Sequence, residues 1–175
     1  MTTEVPADGA HSLRGFAPVI DGKVETLILG SFPSAASLAH GQYYAHPRNQ
    51  FWPILEMILD DPLTRLPYEE RLRRVLARRI GIWDVYAACQ REGSLDSAIR
   101  RPRVNDLNRL RGRAPKLARV LFNGRAAGRF APVFDAAGFM VAILPSTSPA
   151  FASLTLAQKM VAWRRAVGPP VKTAN

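Results

Sequence analysis

One stretch of ten residues concentrates side chains that could do chemistry. Residues 43–52 read Tyr-Tyr-Ala-His-Pro-Arg-Asn-Gln-Phe-Trp. An imidazole can move a proton, an amide can orient a water, and an aromatic face can stack on a planar ligand. Such groups are usually held on loops by a rigid scaffold. The stretch therefore predicts a functional loop, in which function is favoured for Tyr44 and Asn49 and packing onto a sheet for Phe51 and Trp52.

A second candidate loop covers residues 144–150, Leu-Pro-Ser-Thr-Ser-Pro-Ala. Three small hydroxyl residues stand between two prolines, which makes the segment stiff. Its hydroxyl and backbone donors could hold phosphates or enter a nucleic-acid groove. An ordinary capped turn before a helix has the same composition, so the segment alone leaves both interpretations open.

The elements that must position these loops alternate along the chain. Buried-strand composition occurs at 26–30, 80–85, 119–122 and 141–144, and helical spacing at 51–59, 68–79, 106–113, 126–137 and 155–167. This alternation predicts an α/β fold, a three-layer α/β/α sandwich around a central, mostly parallel four-stranded sheet. Ligands bind beyond the carboxyl ends of such strands. Both loops are expected at that edge.

The length of 175 residues suits one domain. We expect a loose N-terminal arm over 1–22, a single domain over 23–168 and a tail over 169–175. Cys89 is the single cysteine, which excludes an internal disulfide, a four-cysteine zinc site and a cysteine-held iron–sulfur cluster. We expect no cofactor, no metal, no membrane span or signal peptide, and a location in the bacterial cytosol or nucleoid.

The formal net charge of +10 is concentrated in the middle of the chain. Between Arg65 and Arg129, 16 Arg and one Lys stand against six acidic residues. Arginine's planar fork suits phosphate oxygens, so this region fits a polyanion such as nucleic acid. The composition of a GC-rich genome would explain the same excess.

These segments together resemble the uracil-DNA glycosylase superfamily. The resemblance is closest to its DNA-deoxyinosine (hypoxanthine-DNA) glycosylase branch, which is related to the mismatch-specific uracil-DNA glycosylases. It covers roughly residues 25–167 and rests on the segments 27–34, 43–52, 81–85, 91–97, 120–124 and 144–150. The resemblance implies a monofunctional DNA repair enzyme, expected to be a monomer. It would flip a deaminated base, uracil or hypoxanthine, out of DNA and hydrolyse its N-glycosidic bond to leave an abasic site.

The resemblance also implies roles for single residues. In most branches an acidic residue or Asn orients the attacking water where this chain has Phe32, so the role passes to Asn49, as in the deoxyinosine branch. Tyr44 would stack on the extruded base. Asp84 stands where the uracil enzymes have a base-reading amide. Ser31 and Phe32 would complete the base pocket.

His46 has two interpretations, since it could be a second catalytic group or a histidine that fixes the loop by hydrogen bonding.

The DNA-contacting residues follow from the same resemblance. The loop with Ser146, Thr147 and Ser148 would enter the minor groove and fill the space left by the flipped base. Its first position, usually His or Asn, is Leu144. Arginines would hold the DNA backbone, namely Arg48, Arg125 and some of Arg100, Arg101 and Arg103. No lysine is expected near these loops, which predicts hydrolysis without a Schiff-base step.

Two alternatives remain from other classes. Because Phe32 and Leu144 replace usual catalytic positions, the chain could be a protein that binds uracil-containing or abasic DNA with little turnover. A hydrolase with Ser146 or Ser148 as nucleophile is disfavoured, because neither lies in a Gly-x-Ser-x-Gly motif.

Overall fold

Seven strands and seven helices make up the fold in the computed structural model, which describes residues 12–168. The strands are β1 (Leu13–Arg14), β2 (Thr26–Gly30), β3 (Ile80–Asp84), β4 (Tyr86–Gln90), β5 (Arg100–Val104), β6 (Arg119–Asn123) and β7 (Met140–Leu144). The helices are α1 (Ala35–His40), α2 (Phe51–Leu59), α3 (Tyr68–Ala77), α4 (Leu110–Arg113), α5 (Arg125–Gly128), α6 (Ala131–Ala136) and α7 (Leu156–Val167).

The central sheet has the strand order β3-β2-β6-β7, and each neighbouring pair is parallel. Every residue of β2 is buried, because helices cover both faces of a parallel sheet. The register pairs Gly30 with Asp84 and Asn123 with Leu144. The carboxyl ends of the strands therefore meet at one edge, and the predicted α/β/α sandwich is confirmed.

One predicted helix is two helices. The expected helix over 126–137 is divided into α5 and α6, with Pro132 in the first turn of α6. Proline lacks the N–H that a continuous helix would need there, but it is tolerated in a first turn.

The sequence missed a second sheet, with the antiparallel order β1-β4-β5. Strand β5 is fully exposed and reads Arg-Arg-Pro-Arg-Val, so it lacks the apolar alternation that predicts a strand. Its proline fits an edge strand, where no partner needs the missing N–H.

The same sheet corrects the expected boundary of the N-terminal arm. β1 pairs with β4, and Val19 forms an isolated bridge with Ile82. Tyr43 and Trp83 donate to the carbonyls of Ala17 and Phe16. Residues 12–22 are therefore part of the folded domain. The remainder of the expected arm, residues 1–11, and the expected tail lie outside the described residues.

Helix α7 joins the core to the candidate loop at 144–150. Thr155 and Gln158 form a capping box at its start. Trp163 has no exposed surface, and its Nε1–H donates to the Pro145 carbonyl at 2.9 Å. No helix in the described range is long and apolar enough to cross a membrane.

We predict that Trp163→Ala lowers the free energy of unfolding by about 3–5 kcal/mol, because it leaves a large cavity and an unpaired carbonyl. Urea denaturation measures the change. Val161→Ala is the control on the same helix, since Val161 is 65% exposed, and it should alter stability by less than about 0.5 kcal/mol. Equal effects of the two changes would contradict the assignment of Trp163 to the core.

Candidate active site

A pocket of about 190 Å³ opens at the carboxyl edge of the central sheet. It is smaller than the roughly 300–1,000 Å³ of pockets for drug-sized ligands, which suits a ligand of one or two rings. Of the residues that the sequence assigned to catalysis, base binding or DNA contact, nine line it: Ser31, Phe32, Tyr44, His46, Asn49, Asp84, Ser146, Thr147 and Ser148.

Asp84, Tyr44 and Gly30 meet closely in this pocket. A Cβ at Gly30 would collide with a carboxylate oxygen of Asp84 and lie 3.0 Å from the Tyr44 hydroxyl. Asp84 Oδ2 and the Tyr44 hydroxyl are buried and form no hydrogen bond within residues 12–168. Buried polar atoms are normally paired. Two unpaired ones in a pocket mark where a ligand would supply the partners.

The environment of Asp84 disfavours its charged form. Asp84 is 3% exposed. Burial, aided by the negative charge of Asp96 and opposed by Arg91, raises the pKa of the Asp84 carboxyl to about 7. The carboxyl therefore gains and loses its proton near neutral pH.

Phe32 and Tyr44 are two of the aromatic residues that line the pocket, and each has a partner on one face. The ring of Tyr44 stacks on Phe51, with centroids 3.8 Å apart and an interplanar angle of 18°. The Arg91 guanidinium lies 5.2 Å from the centroid of Phe32. Tyr44 adopts a left-handed backbone (φ 56°), uncommon for a residue with a side chain. The loop thus holds the Tyr44 ring against α2.

Polar contacts fasten the segment 91–98 to the pocket rim. The Ser31 hydroxyl donates to Asp96 Oδ1 at 2.6 Å, and Ser94 Oγ accepts from the Ala35 N–H at 2.9 Å. Arg91 donates to the carbonyls of Gly93 and Pro33. Ser31 therefore positions this rim as well as lining the pocket.

Asn49 lies at the pocket just ahead of α2. Its Oδ1 accepts from the Phe51 N–H at 3.0 Å, and its own N–H donates to the His46 carbonyl at 2.9 Å. These bonds fix the side chain at the start of the helix. The Nδ2 group and the second lone pair of Oδ1 remain able to hold a water.

His46 is a loop-fixing residue that also lines the pocket. Its Nδ1 lies 3.1 Å from the Arg48 N–H, from which it accepts a hydrogen bond. A neutral ring that accepts through Nδ1 carries its proton on Nε2. His46 can therefore offer a donor to the pocket while it holds the turn.

Asn123 is a pocket residue for which no role was predicted from the sequence. It ends β6, where its Nδ2 donates to Thr147 Oγ1 at 2.9 Å and its Oδ1 accepts from the Thr147 N–H at 3.0 Å. Its position at the carboxyl end of a predicted strand was the available signal.

The expected DNA contact of Thr147 is corrected by this pairing. Thr147 has no exposed surface, and its carbonyl accepts from the Gln50 N–H at 3.0 Å. Its side chain is hydrogen-bonded within the protein and holds the 145–150 loop against β6. It has no surface to offer to DNA.

The other expected DNA contacts lie on the surface. Arg48 and Arg125 are exposed, as are Arg100, Arg101 and Arg103 on β5. Arg125, Ser146 and Ser148 also line an open groove of about 820 Å³ that adjoins the pocket. Within residues 12–168, no three His, Cys, Asp or Glu side chains cluster as metal ligands.

The expectation that no lysine lies near the site loops is wrong, because Lys159 packs against them. Lys159 on α7 is 2% exposed, and its Nζ donates to Gln50 Oε1 and to the Phe151 carbonyl, each at 2.8 Å. Burial lowers its pKa. Lys159 is not among the residues that line the pocket. It joins the loop before α2 to the loop after β7.

We predict that Lys159→Met loosens both loops, because Gln50 Oε1 and the Phe151 carbonyl lose their donor while the apolar stem is retained. The loss of about 1–2 kcal/mol in local stability corresponds to amide exchange about 5- to 30-fold faster over 49–52 and 145–151. Hydrogen-exchange mass spectrometry measures it. Lys116→Met, at an exposed position, is the control. Unchanged exchange in both loops would contradict the prediction.

The fold and the site define a class of protein, an α/β/α enzyme with a base-sized pocket at the carboxyl edge of its sheet and arginines on the surrounding surface. Comparison with known proteins gives the family. The model of the uracil DNA glycosylase superfamily matches residues 17–167, and the chain belongs to this superfamily. It is a DNA glycosylase, a hydrolase of DNA repair.

Curated relatives and a solved structure agree with this assignment. The chain is 42% identical to the hypoxanthine DNA glycosylases of Methanosarcina barkeri and Methanosarcina acetivorans. Each match spans 137 residues, 78% of this chain and 87% of the relative. The solution NMR structure of a candidate uracil DNA glycosylase from Methanosarcina acetivorans superposes with a TM-score of 0.78 at 38% identity. That match covers 89% of this chain and 99% of the other.

Proposed function

We propose that this glycosylase takes a deaminated base out of the DNA stack, hypoxanthine in first place and uracil in second, and hydrolyses its N-glycosidic bond to leave an abasic site. One observation carries the proposal: two buried polar atoms without partners, on Asp84 and Tyr44, lie in a base-sized pocket. The names of the two curated relatives support hypoxanthine as the substrate.

The pocket residues divide between the faces and the edge of the base. Phe32 and Tyr44 each have one face covered inside the protein, and the base packs against what remains of their surfaces. Asp84 Oδ2 and the Tyr44 hydroxyl meet the polar edge. Extrusion costs a few kcal/mol, which these contacts offset.

Bond cleavage needs a positioned water and a stabilised leaving group. Asn49, held by its bond to Phe51, orients the water toward C1′. An amide does not titrate, so its contribution is positional rather than that of a general base. Backbone N–H groups of residues 31–34 and the Nε2–H of His46 stabilise the negative charge that develops on the departing base.

The reaction stops at the abasic site. A Schiff-base step needs an amine that reaches C1′. Lys159, the lysine packed against the site loops, uses its Nζ to hold Gln50 and Phe151 and lies outside the pocket lining.

Single-turnover reactions on duplexes that contain hypoxanthine, uracil or xanthine test the proposal. We expect abasic sites, with hypoxanthine released fastest. The competing interpretation is a protein that binds damaged DNA with little turnover, favoured by Phe32 and by Leu144, which is 5% exposed and belongs to the core. Tight binding of every lesion without abasic-site formation would overturn the enzymatic proposal.

We predict that Asn49→Ala lowers the single-turnover rate constant by about 100- to 1,000-fold while DNA affinity changes little, because it removes the group that positions the water. Loss of the bond to the Phe51 N–H adds a stability cost of about 1 kcal/mol. Asn49→Asp is the control, since it keeps an Oδ1 acceptor for Phe51 and an oxygen for the water. Equal losses of rate and affinity in Asn49→Ala would mean that Asn49 binds DNA rather than water.

The space left by an extruded base must be filled, and the loop expected to fill it has no suitable side chain. Residues 145–150 are Pro, Ser, Thr, Ser, Pro and Ala. Among the pocket-lining residues within 12–168, Leu95 is the one large apolar side chain that is mostly exposed, at 56%. Its segment is fastened to the rim through Ser94 and Asp96. Leu95 is therefore our candidate for the apolar wedge that enters the base stack.

We predict that Leu95→Ala lowers excision from duplex DNA by about 10- to 100-fold, the value of one buried leucine side chain. Excision from single-stranded DNA should be unchanged, because a single strand has no stack to hold open. Rate constants on matched single- and double-stranded substrates measure this. Val133→Ala, a remote exposed position, is the control. An equal loss on both substrates would exclude the wedge.

A further inference from the structure

Asp84 is a buried acid at the end of β3. Its Oδ2 forms no hydrogen bond within residues 12–168. Arg91, the cation that acts on it, donates instead to the carbonyls of Pro33 and Gly93 and lies over Phe32. An ionised carboxylate in such a place carries a large desolvation cost. The protonated form of this side chain therefore costs less free energy to bury than the ionised form.

Resting on the proposed function, we infer that Asp84 reads the extruded base as an uncharged carboxylic acid and thereby selects bases with a carbonyl beside a ring N–H. A neutral carboxyl offers one donor and one acceptor side by side, which is the pattern of an amide. It accepts from the ring N–H and donates to the neighbouring carbonyl. Hypoxanthine, uracil and xanthine all present this edge.

The charged form of Asp84 would disfavour the binding of the same bases. An ionised carboxylate has acceptors only, so it would face the base carbonyl without a proton between the two oxygens. The edge with a carbonyl beside an N–H is the one that deamination of adenine or cytosine creates. A neutral Asp84 thus distinguishes hypoxanthine and uracil from adenine and cytosine, the bases from which they arise, whereas guanine and thymine carry the same edge and are not excluded by it.

The groups around Asp84 set the direction of its titration. Asp96, on the rim segment, raises the pKa of Asp84, and Arg91, after β4, lowers it, while burial is the largest effect. The phenols of Tyr43 and Tyr44 face the same carboxyl, and their pKa values are raised by burial first and by Asp84 second. Both phenols therefore stay neutral across the range in which Asp84 titrates, at about pH 7.

Excision measured against pH tests the inference. For the wild type, the single-turnover rate constant on hypoxanthine should fall by about tenfold per pH unit above the midpoint, because the uncharged fraction falls at that rate. Asp84→Asn keeps one donor and one acceptor at every pH, so it should excise hypoxanthine with a profile that stays flat from pH 6 to 8. Asp135→Asn, at an exposed position on α6, should keep the wild-type profile.

A readout that needs no catalysis separates this inference from the proposed function. Since the folded-state pKa of Asp84 lies above its unfolded value near 4, Asp84 should lower stability as pH rises from about 4 through about 7. Thermal unfolding should therefore show Asp84→Asn stabilised relative to wild type at pH 8.5 more than at pH 5.

Two results would overturn the inference. A wild-type profile that is flat while Asp84→Asn is inactive at all pH values would mean that the ionised carboxylate acts. A stability difference between wild type and Asp84→Asn that is the same at pH 5 and 8.5 would mean that Asp84 does not titrate as argued. If no enzyme form releases hypoxanthine at any pH, the proposed function fails, and the stability comparison alone still decides the charge of Asp84.

Discussion

The close approach of Gly30, Asp84 and Tyr44 is the constraint on which the site depends. It arises because β2 and β3 pair in parallel with Gly30 opposite Asp84. The side-chain carboxyl of Asp84, at the end of β3, therefore lies against the backbone of Gly30, at the end of β2. Only a residue without Cβ leaves room there for the carboxyl and the phenol. The consequence is a pocket in which Asp84 Oδ2 and the Tyr44 hydroxyl are buried, without hydrogen-bond partners within residues 12–168, and in place before any base arrives.

Buried polar contacts between distant loops hold the remainder of the pocket around this point. Asn123 fixes the loop after β7 through Thr147, and Lys159 ties that loop to Gln50, next to Asn49. On the other side, Asp96 ties its rim segment to Ser31. In each contact, a polar group of one segment is hydrogen-bonded to a polar group of another. These hydrogen bonds therefore hold the walls of the pocket in place, while the polar atoms of Asp84 and Tyr44 remain available to a ligand.

The sequence predicted the parts of the fold that follow from local pattern. β2 was predicted with its observed bounds, because a short apolar run stopped by glycine is a strong signal. β5 was missed, because its side chains are exposed and it is held in the sheet by backbone pairing with β4. Residues 12–22 were expected to be loose for a related reason, since backbone pairing with β4 leaves no periodic signature.

The sequence predicted which residues belong to the candidate site but not how they contact one another. Residue types and the family resemblance brought Tyr44, Asn49 and Asp84 together, and all three line one pocket. The contact between Gln50 and Lys159 joins residues 109 positions apart, which no local pattern encodes. The burial of Thr147 and the exposure of Leu95 likewise depend on how the loops pack. The DNA contact expected of Thr147 could therefore be revised, and Leu95 recognised as a candidate, only from the structure.

We propose that hypoxanthine leaves the DNA stack and that Asp84 hydrogen-bonds to its edge. The most direct measurement is a crystal structure of the Asn49→Ala variant bound to a duplex with one hypoxanthine. We expect the base in the pocket beside Phe32 and Tyr44, with its carbonyl and ring N–H at hydrogen-bond distance from Asp84. A hypoxanthine that remains stacked in the duplex, or that enters the pocket with its edge turned away from Asp84, would contradict it.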